Sequence, residues 1–186
     1  MNQTTIRQHL YDRYCNPNLY QNSLIIDEDN RIATFLLWNY SGQLVGYQQY
    51  RPDCDEKHIK NNPEKRYYTF LGEEGEIFTK SKKKIGMFGL ESLKLFPNGP
   101  IFLNEGIFNA TRFHWHGFAA IACLSNDPKH LKNSLNFIHR PKVAVCDGDS
   151  GGKRLAKFGN SAIHCPDGTD VGSLTEFEFQ QLIKDI

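Results

Sequence analysis

The run VAVCDGDSGG at positions 143–152 sets two aspartates, Asp147 and Asp149, one glycine apart just after an apolar stretch. In extended chain, residues two apart project to the same side, so both carboxylates face together and Gly148 keeps bulk out of their way. At about 5 Å and an effective dielectric of about 20, two such charges repel by on the order of 3 kcal/mol, enough to raise a carboxylate pKa unless a cation lies between them. A hard divalent ion suits the pair. Magnesium in particular takes one or two carboxylates, several waters and phosphate oxygens. DGDSGG is also the composition of a turn, because Asp and Gly dominate turns for backbone reasons of their own. The metal is favoured by a third acid, Glu105 in IFLNEGIFNA, at the end of another apolar run, with Asp167 and Asp170 in CPDGTD after a further one. Gly151 and Gly152 would open a helix whose free N–H groups can receive phosphate, with Lys153 and Arg154 beside them.

These acids need a scaffold that brings strand ends together. From Pro100 onward the pattern is regular: strand IFLNE, helix 107–116, strand AAIACL, helix 128–138, strand KVAVCD, helix 152–158, strand SAIHC, helix 174–186. Apolar strands alternating with amphipathic helices, such as the one with Leu131, Leu135 and Ile138 on one face, predict a four-stranded parallel sheet with helices on both faces. Ligands of such sheets bind at the carboxyl ends of the strands, where the acids fall. Before the turn at Pro97–Pro100, residues 4–14 predict a short helix with Ile6, Leu10 and Tyr14 on one face. Residues 32–40 and 44–50 predict two strands around Ser41-Gly42, 66–71 a third, and 88–96 a short helix ended by Pro97-Asn98-Gly99-Pro100. The expected organisation is therefore an α+β subdomain over 1–97 and an α/β domain over 98–186.

The 186 residues are 39% apolar and 12% aromatic, enough to bury a core. No stretch has the length of a membrane span and the N-terminus lacks the zones of a secretory signal, so no membrane partner and a cytoplasmic location are expected. Five cysteines without a CxxC pair point to reduced thiols and away from a zinc ribbon. A net charge of +1 disfavours nonspecific coating of nucleic acid, which scales with phosphates neutralised. Local contacts remain open at Lys80, Lys82, Lys83 and Lys84, although a lysine run is more often a solvated face. His114 with His116, His164 with Cys165, and Cys54 with His58 lack four-ligand zinc spacing, and packing or surface roles are the simpler reading. Tyr47, Tyr50, Tyr67 or Tyr68 could stack a nucleic-acid base.

At Glu105, Asp147 and Asp149 the sequence resembles the Toprim domain of bacterial-type primases, type IA and type II topoisomerases and some nucleases. NEG matches the family's glutamate motif and DGD its DxD, over Pro100 to about Ile186. The similarity to replicative primase cores extends upstream through YSGQLVGYQQYR, KRYY, IFTKSKKK and MFGL, and CPDGTDVGSL resembles the primase PDGxDP segment. The resemblance implies RNA primer synthesis on single-stranded DNA from ribonucleoside triphosphates. Glu105, Asp147 and Asp149 would be catalytic and would hold Mg²⁺, with Mn²⁺ as a substitute. Asp170 would be a further ligand, and Glu105 would also relay a proton. Arg66, Lys80, Lys82, Lys153 and Arg154 would contact template or triphosphate. The family's usual aspartate four residues after the glutamate is Asn109 here, a second acid after Asp170 is Gly172, and its Gly-Thr is Ser125-Asn126. A zinc ribbon and a helicase-contacting region are expected to be missing, as in stripped-down phage primases, which leaves a helicase or a separate zinc-ribbon protein as a partner. Metal-dependent nuclease action and a non-catalytic subunit of a replication or defence complex are the competing expectations.

Overall fold

The computed structural model describes residues 4–54, 63–71, 85–149 and 152–184. The chain forms two compact units, Met1–Phe88 and Gly89–Ile186. In the first, helix α1 (Ile6–Asp12) is N-capped by Thr5, whose hydroxyl oxygen accepts from the Gln8 N–H, and it buries Ile6 and Leu10. Tyr14 falls beyond the helix, at a φ of 56°. Four antiparallel strands follow in the order β1 (Leu24–Asp27), β2 (Ile32–Trp38), β3 (Leu44–Tyr50) and β4 (Tyr67–Leu71), each hydrogen-bonded to the next. Strict alternation places Ala33, Phe35 and Leu37 of β2 in the core. Phe88 closes that core, with its ring 5.2 Å from Tyr20 and 5.3 Å from Phe35.

Strand β1 was not predicted. LIID is too short to display a period of two, and its pairing with β2 supplies the regularity its own residues lack. The helix expected over 88–96 contracts to α2 (Ser92–Leu95). Met87 pairs with Trp38 as an isolated bridge, and Gly89 has a φ of 91°, outside the helical region, so no helix can run through position 89. Ser92 then ties α2 to Ala120 within the second unit. Its hydroxyl lies 2.6 Å from the Gly89 carbonyl and 2.9 Å from that of Ala120, and it accepts from the Ala120 N–H at 3.1 Å. The break between units therefore lies ahead of the Pro97–Pro100 turn. That turn is held by Arg140, which donates to the carbonyls of Phe96, Asn98 and Gly99.

The second unit is a parallel sheet in the order β6 (Ala119–Ala122), β5 (Ile101–Asn104), β7 (Lys142–Cys146), β8 (Ser161–His164). β5 and β6 are buried throughout, as strands covered on both faces must be. Helix α3 (Ile107–Trp115) leads from β5 to β6, and α5 (Gly152–Leu155) with a 3₁₀ turn at Ala156–Phe158 leads from β7 to β8. The two connections run in opposite directions along the sheet, so right-handed crossovers put α3 and α5 on opposite faces. Between β6 and β7, a 3₁₀ turn (Lys129–Leu131) and α4 (Lys132–Asn136) bury Leu131, Leu135 and Ile138 as predicted. The last helix, α6 (Glu176–Ile183), starts at a Thr175/Glu178 capping box.

Arg112 of α3 is fully buried. Its guanidinium donates to the carbonyls of Val171 (2.8 Å), Leu174 (2.6 Å) and Thr175 (3.0 Å) and lies 4.7 Å from the Phe179 ring centre. It fastens the segment after β8 onto α3. No described helix is long and apolar enough to cross a membrane. All five cysteines are free thiols. Arg112→Met keeps most of the packing but takes the guanidinium donors from the carbonyls of the buried residues Val171 and Leu174. The expected cost is roughly 3 kcal/mol, or a Tm about 6–12 °C lower in a thermal melt.

Candidate active site

The sheet order places the reversal of winding between β5 and β7, since β5 continues to β6 on one side and β7 to β8 on the other. At such a point the loops leave in opposite directions and open a crevice beyond the strand ends. Glu105 follows β5 directly, and Asp147 follows β7. The pairs Phe102–Val143 and Leu103–Ala144 set the register, and its continuation brings Glu105 level with Cys146, next to Asp147. The loop after β8 is laced to the same place. Gly148 donates to the Thr169 carbonyl and accepts from the Gly168 N–H, both at 2.8 Å.

Two glycines make this closeness possible. A Cβ on Gly148 would stand 1.9 Å from the Pro166 oxygen, and one on Gly152 would stand 2.2 Å from the Asp147 oxygen. Both contacts are with backbone that has no room to yield. The spacing Asp-Gly-Asp thus has a second cause besides freeing the carboxylates, because the 166–168 segment passes directly over the middle residue.

The four acids share one electrostatic neighbourhood. Asp147 is pushed up to about 7, first by burial and then by the charges of Glu105, Asp170 and Asp149. Burial, followed by Asp149, also raises Glu105, while Arg154 pulls it the other way. Their side-chain oxygens have other duties too. Asp149 accepts from the Gly152 N–H at 2.8 Å and so caps α5. Asp170 accepts from the Ser173 N–H at 2.8 Å and caps the 3₁₀ turn Val171–Ser173. Beside them lies a cleft of about 530 Å³ lined by Asp147, Gly148, Asp149, Lys153, His164, Cys165 and Asp167.

The donor set suits a hard cation: oxygen ligands only, with Glu105 and Asp147 half-buried and Asp147 opposed by the charges of the other three. Among the described residues no three His, Cys, Asp or Glu side chains stand close enough to hold an ion as placed. Magnesium does not require three, since it keeps several waters and takes one or two carboxylates directly.

Of the other candidates, Lys153 lines the cleft and Arg154 acts on Glu105, so both belong to the acidic edge. Arg66 lies in the first unit, where its Nε donates to the Cys54 carbonyl at 2.7 Å. Lys80 and Lys82 lie outside the described residues. Tyr50 is buried, stacked on Tyr67 at 5.1 Å with its hydroxyl 2.8 Å from His9, whereas Tyr47 and Tyr68 stay half-exposed on the opposite face of the sheet. His114 is a core residue, held to the Ala120 carbonyl and lowered to about 4 by burial. His164, read as a packing or surface residue, lines the cleft. Its place one residue beyond the last apolar position of β8 was the available signal.

No protein-family model and no curated protein matches the sequence. Solved structures do. The chain is similar to the catalytic domain of DnaG primase bound to single-stranded DNA, at 18% identity and a TM-score of 0.58 over 96% of this chain and 57% of that one. Against the Escherichia coli primase catalytic core the values are 18%, 0.57, 96% and 58%. Against the primase fragment of the bacteriophage T7 primase-helicase they are 11%, 0.53, 83% and 62%. The chain spans a little over half the length of those structures. These likenesses define its fold: a Toprim α/β domain preceded by a small antiparallel subdomain, the architecture of primase catalytic cores.

The raised Asp147 has a consequence for stability. In the unfolded chain it ionises near pH 3.9 or so, so between about pH 4 and 7 the native state holds the extra proton and stability falls as pH rises. Metal-free Asp147→Asn should therefore melt higher than wild type at pH 8. The gain expected is about 1–2 kcal/mol, after allowance for solvent screening of a half-exposed group, and it should shrink towards pH 4. Gly148→Ala should lower the melting temperature at every pH.

Proposed function

We propose that the chain is the catalytic core of a DNA-directed RNA primase, with the Gly89–Ile186 unit carrying the chemistry. The observation that supports it best is the gathering of Glu105, Asp147, Asp149 and Asp170 at the winding reversal of a Toprim sheet, beside a cleft edged by Lys153. Glu105, Asp147 and Asp149 would hold Mg²⁺, or Mn²⁺ in its place, with Asp170 as a further ligand. Bound there, the ion would lower the pKa of a primer 3′-hydroxyl, neutralise charge on the attacked α-phosphate and orient the leaving pyrophosphate.

The protein's own groups complete the task. Lys153 and Arg154 set positive charge beside the acids, where a ribonucleoside triphosphate brings three or so negative groups. Half-burial of Asp147 and Glu105 strengthens every charge interaction at the edge. Glu105, raised first by burial and then by the charge of Asp149, is better suited to exchange a proton than a solvated glutamate. Arg66, Lys80 and Lys82 are the proposed contacts of the first unit with template or triphosphate. A helicase or a separate zinc-ribbon protein would supply the choice of start site.

The test is incubation of the full chain with single-stranded DNA, Mg²⁺ and labelled ribonucleotides. Labelled primers are the expected product, reduced at least about 100-fold in Asp147→Asn, the scale of loss for a group that stabilises charge in the transition state. Shortened DNA without primers would assign the same acids to phosphodiester cleavage. Undiminished synthesis by Asp147→Asn would remove this site from the reaction.

A further inference from the structure

Asn109 sits in the first turn of α3, is only 7% exposed, and joins all three strand-end segments of the acidic edge. It belongs to the helix that follows Glu105. Its Nδ2 donates to Asp147 Oδ1 at 3.3 Å, and its Oδ1 accepts from the backbone N–H of Gly172 at 3.2 Å, in the turn that Asp170 caps. The side chain also packs under the preceding turn, with Cγ and Nδ2 each 4.0 Å from where a Gly106 Cβ would stand. We infer that Asn109 is a positioning residue: its carboxamide holds the Asp147 carboxylate in one orientation and locks it to the Gly172 backbone, so that the edge is braced by a neutral bridge rather than by another charge.

The chemistry of the two neighbours requires an amide. A carboxylate must be met by a donor and a backbone N–H by an acceptor, and among short side chains of this shape only Asn carries both. The same demand settles which way the amide faces, since the reverse would oppose oxygen to oxygen and N–H to N–H. Asp at 109 would keep the acceptor for Gly172 but lose the donor and add charge beside Asp147. Leu would lose both. The bridge engages Oδ1 of Asp147, and a cation would be met by the other oxygen. Gly172 contributes only its N–H, so the two positions where acids are replaced, 109 and 172, are in direct contact and act together.

The role towards a cation rests on the metal-site reading above, and the experiment separates the two. Hydrogen exchange of the Gly172 amide, measured without metal, reads the bridge itself. Exchange should be about tenfold faster in Asn109→Leu and Asn109→Ala, the equivalent of one ordinary hydrogen bond, and unchanged in Asn109→Asp. Mn²⁺ titration of the full chain, followed by paramagnetic resonance of the free ion, reads the positioning. Asn109→Leu and Asn109→Ala should bind about tenfold more weakly than wild type, the scale on which removal of an outer-shell partner acts. Wild-type Gly172 exchange in the leucine and alanine variants, or faster exchange in the aspartate variant, would overturn the bridge. Faster exchange with Mn²⁺ binding within twofold of wild type would overturn the positioning role. Should Asp147→Asn bind Mn²⁺ as wild type does, the metal site itself fails, and Gly172 exchange still decides whether the bridge exists.

Discussion

Like charges held together against their repulsion are the constraint around which the second unit is organised. Asp147 carries its proton to about pH 7 because burial and three neighbouring acids oppose its ionisation. A fold that merely needed stability would separate these groups or leave them in water. This one keeps them at one edge with close backbone packing and a buried arginine, and on that arrangement the proposed metal-holding role rests.

The bracing is mostly backbone. Gly148 lets the segments after β7 and β8 approach to distances that a side chain would forbid, and Gly152 lets the start of α5 close on the Asp147 backbone. Gly148 exchanges hydrogen bonds with that loop, and Arg112 fastens its far end to α3 through three carbonyls. The acids are thus carried on connections that are tied down at both ends. The cost of ordering a carboxylate is met before any ligand arrives, the condition under which charged groups act most strongly on a reacting centre.

The likeness to primase cores at 11–18% identity shows how little of this depends on particular core residues. Apolar strands and amphipathic helices of the right lengths rebuild the sheet with other side chains. Local chemistry is less forgiving. Asn109 and Gly172 stand where the primase resemblance implies acids, and here they meet each other through a hydrogen bond.

Much of the second unit was legible from the chain alone. Continuous apolar runs with period-3.6 segments between them determine a parallel sheet, and the positions of Glu105, Asp147 and Asp149 just past those runs determine that the acids sit at its carboxyl edge. The face of Leu131, Leu135 and Ile138 was readable because it is a local pattern. Strand β1, the shortened α2, the buried guanidinium of Arg112 and the bridging amide of Asn109 were not. Each is defined by partners outside its own run of residues, from 5 to 63 positions away, and side chains that match such a partner carry no periodic mark of it. The sequence by itself determined which groups could do chemistry and on which edge they stand. Only the tertiary structure decided which of them touch, because strand order and the crossing of the loops set those distances.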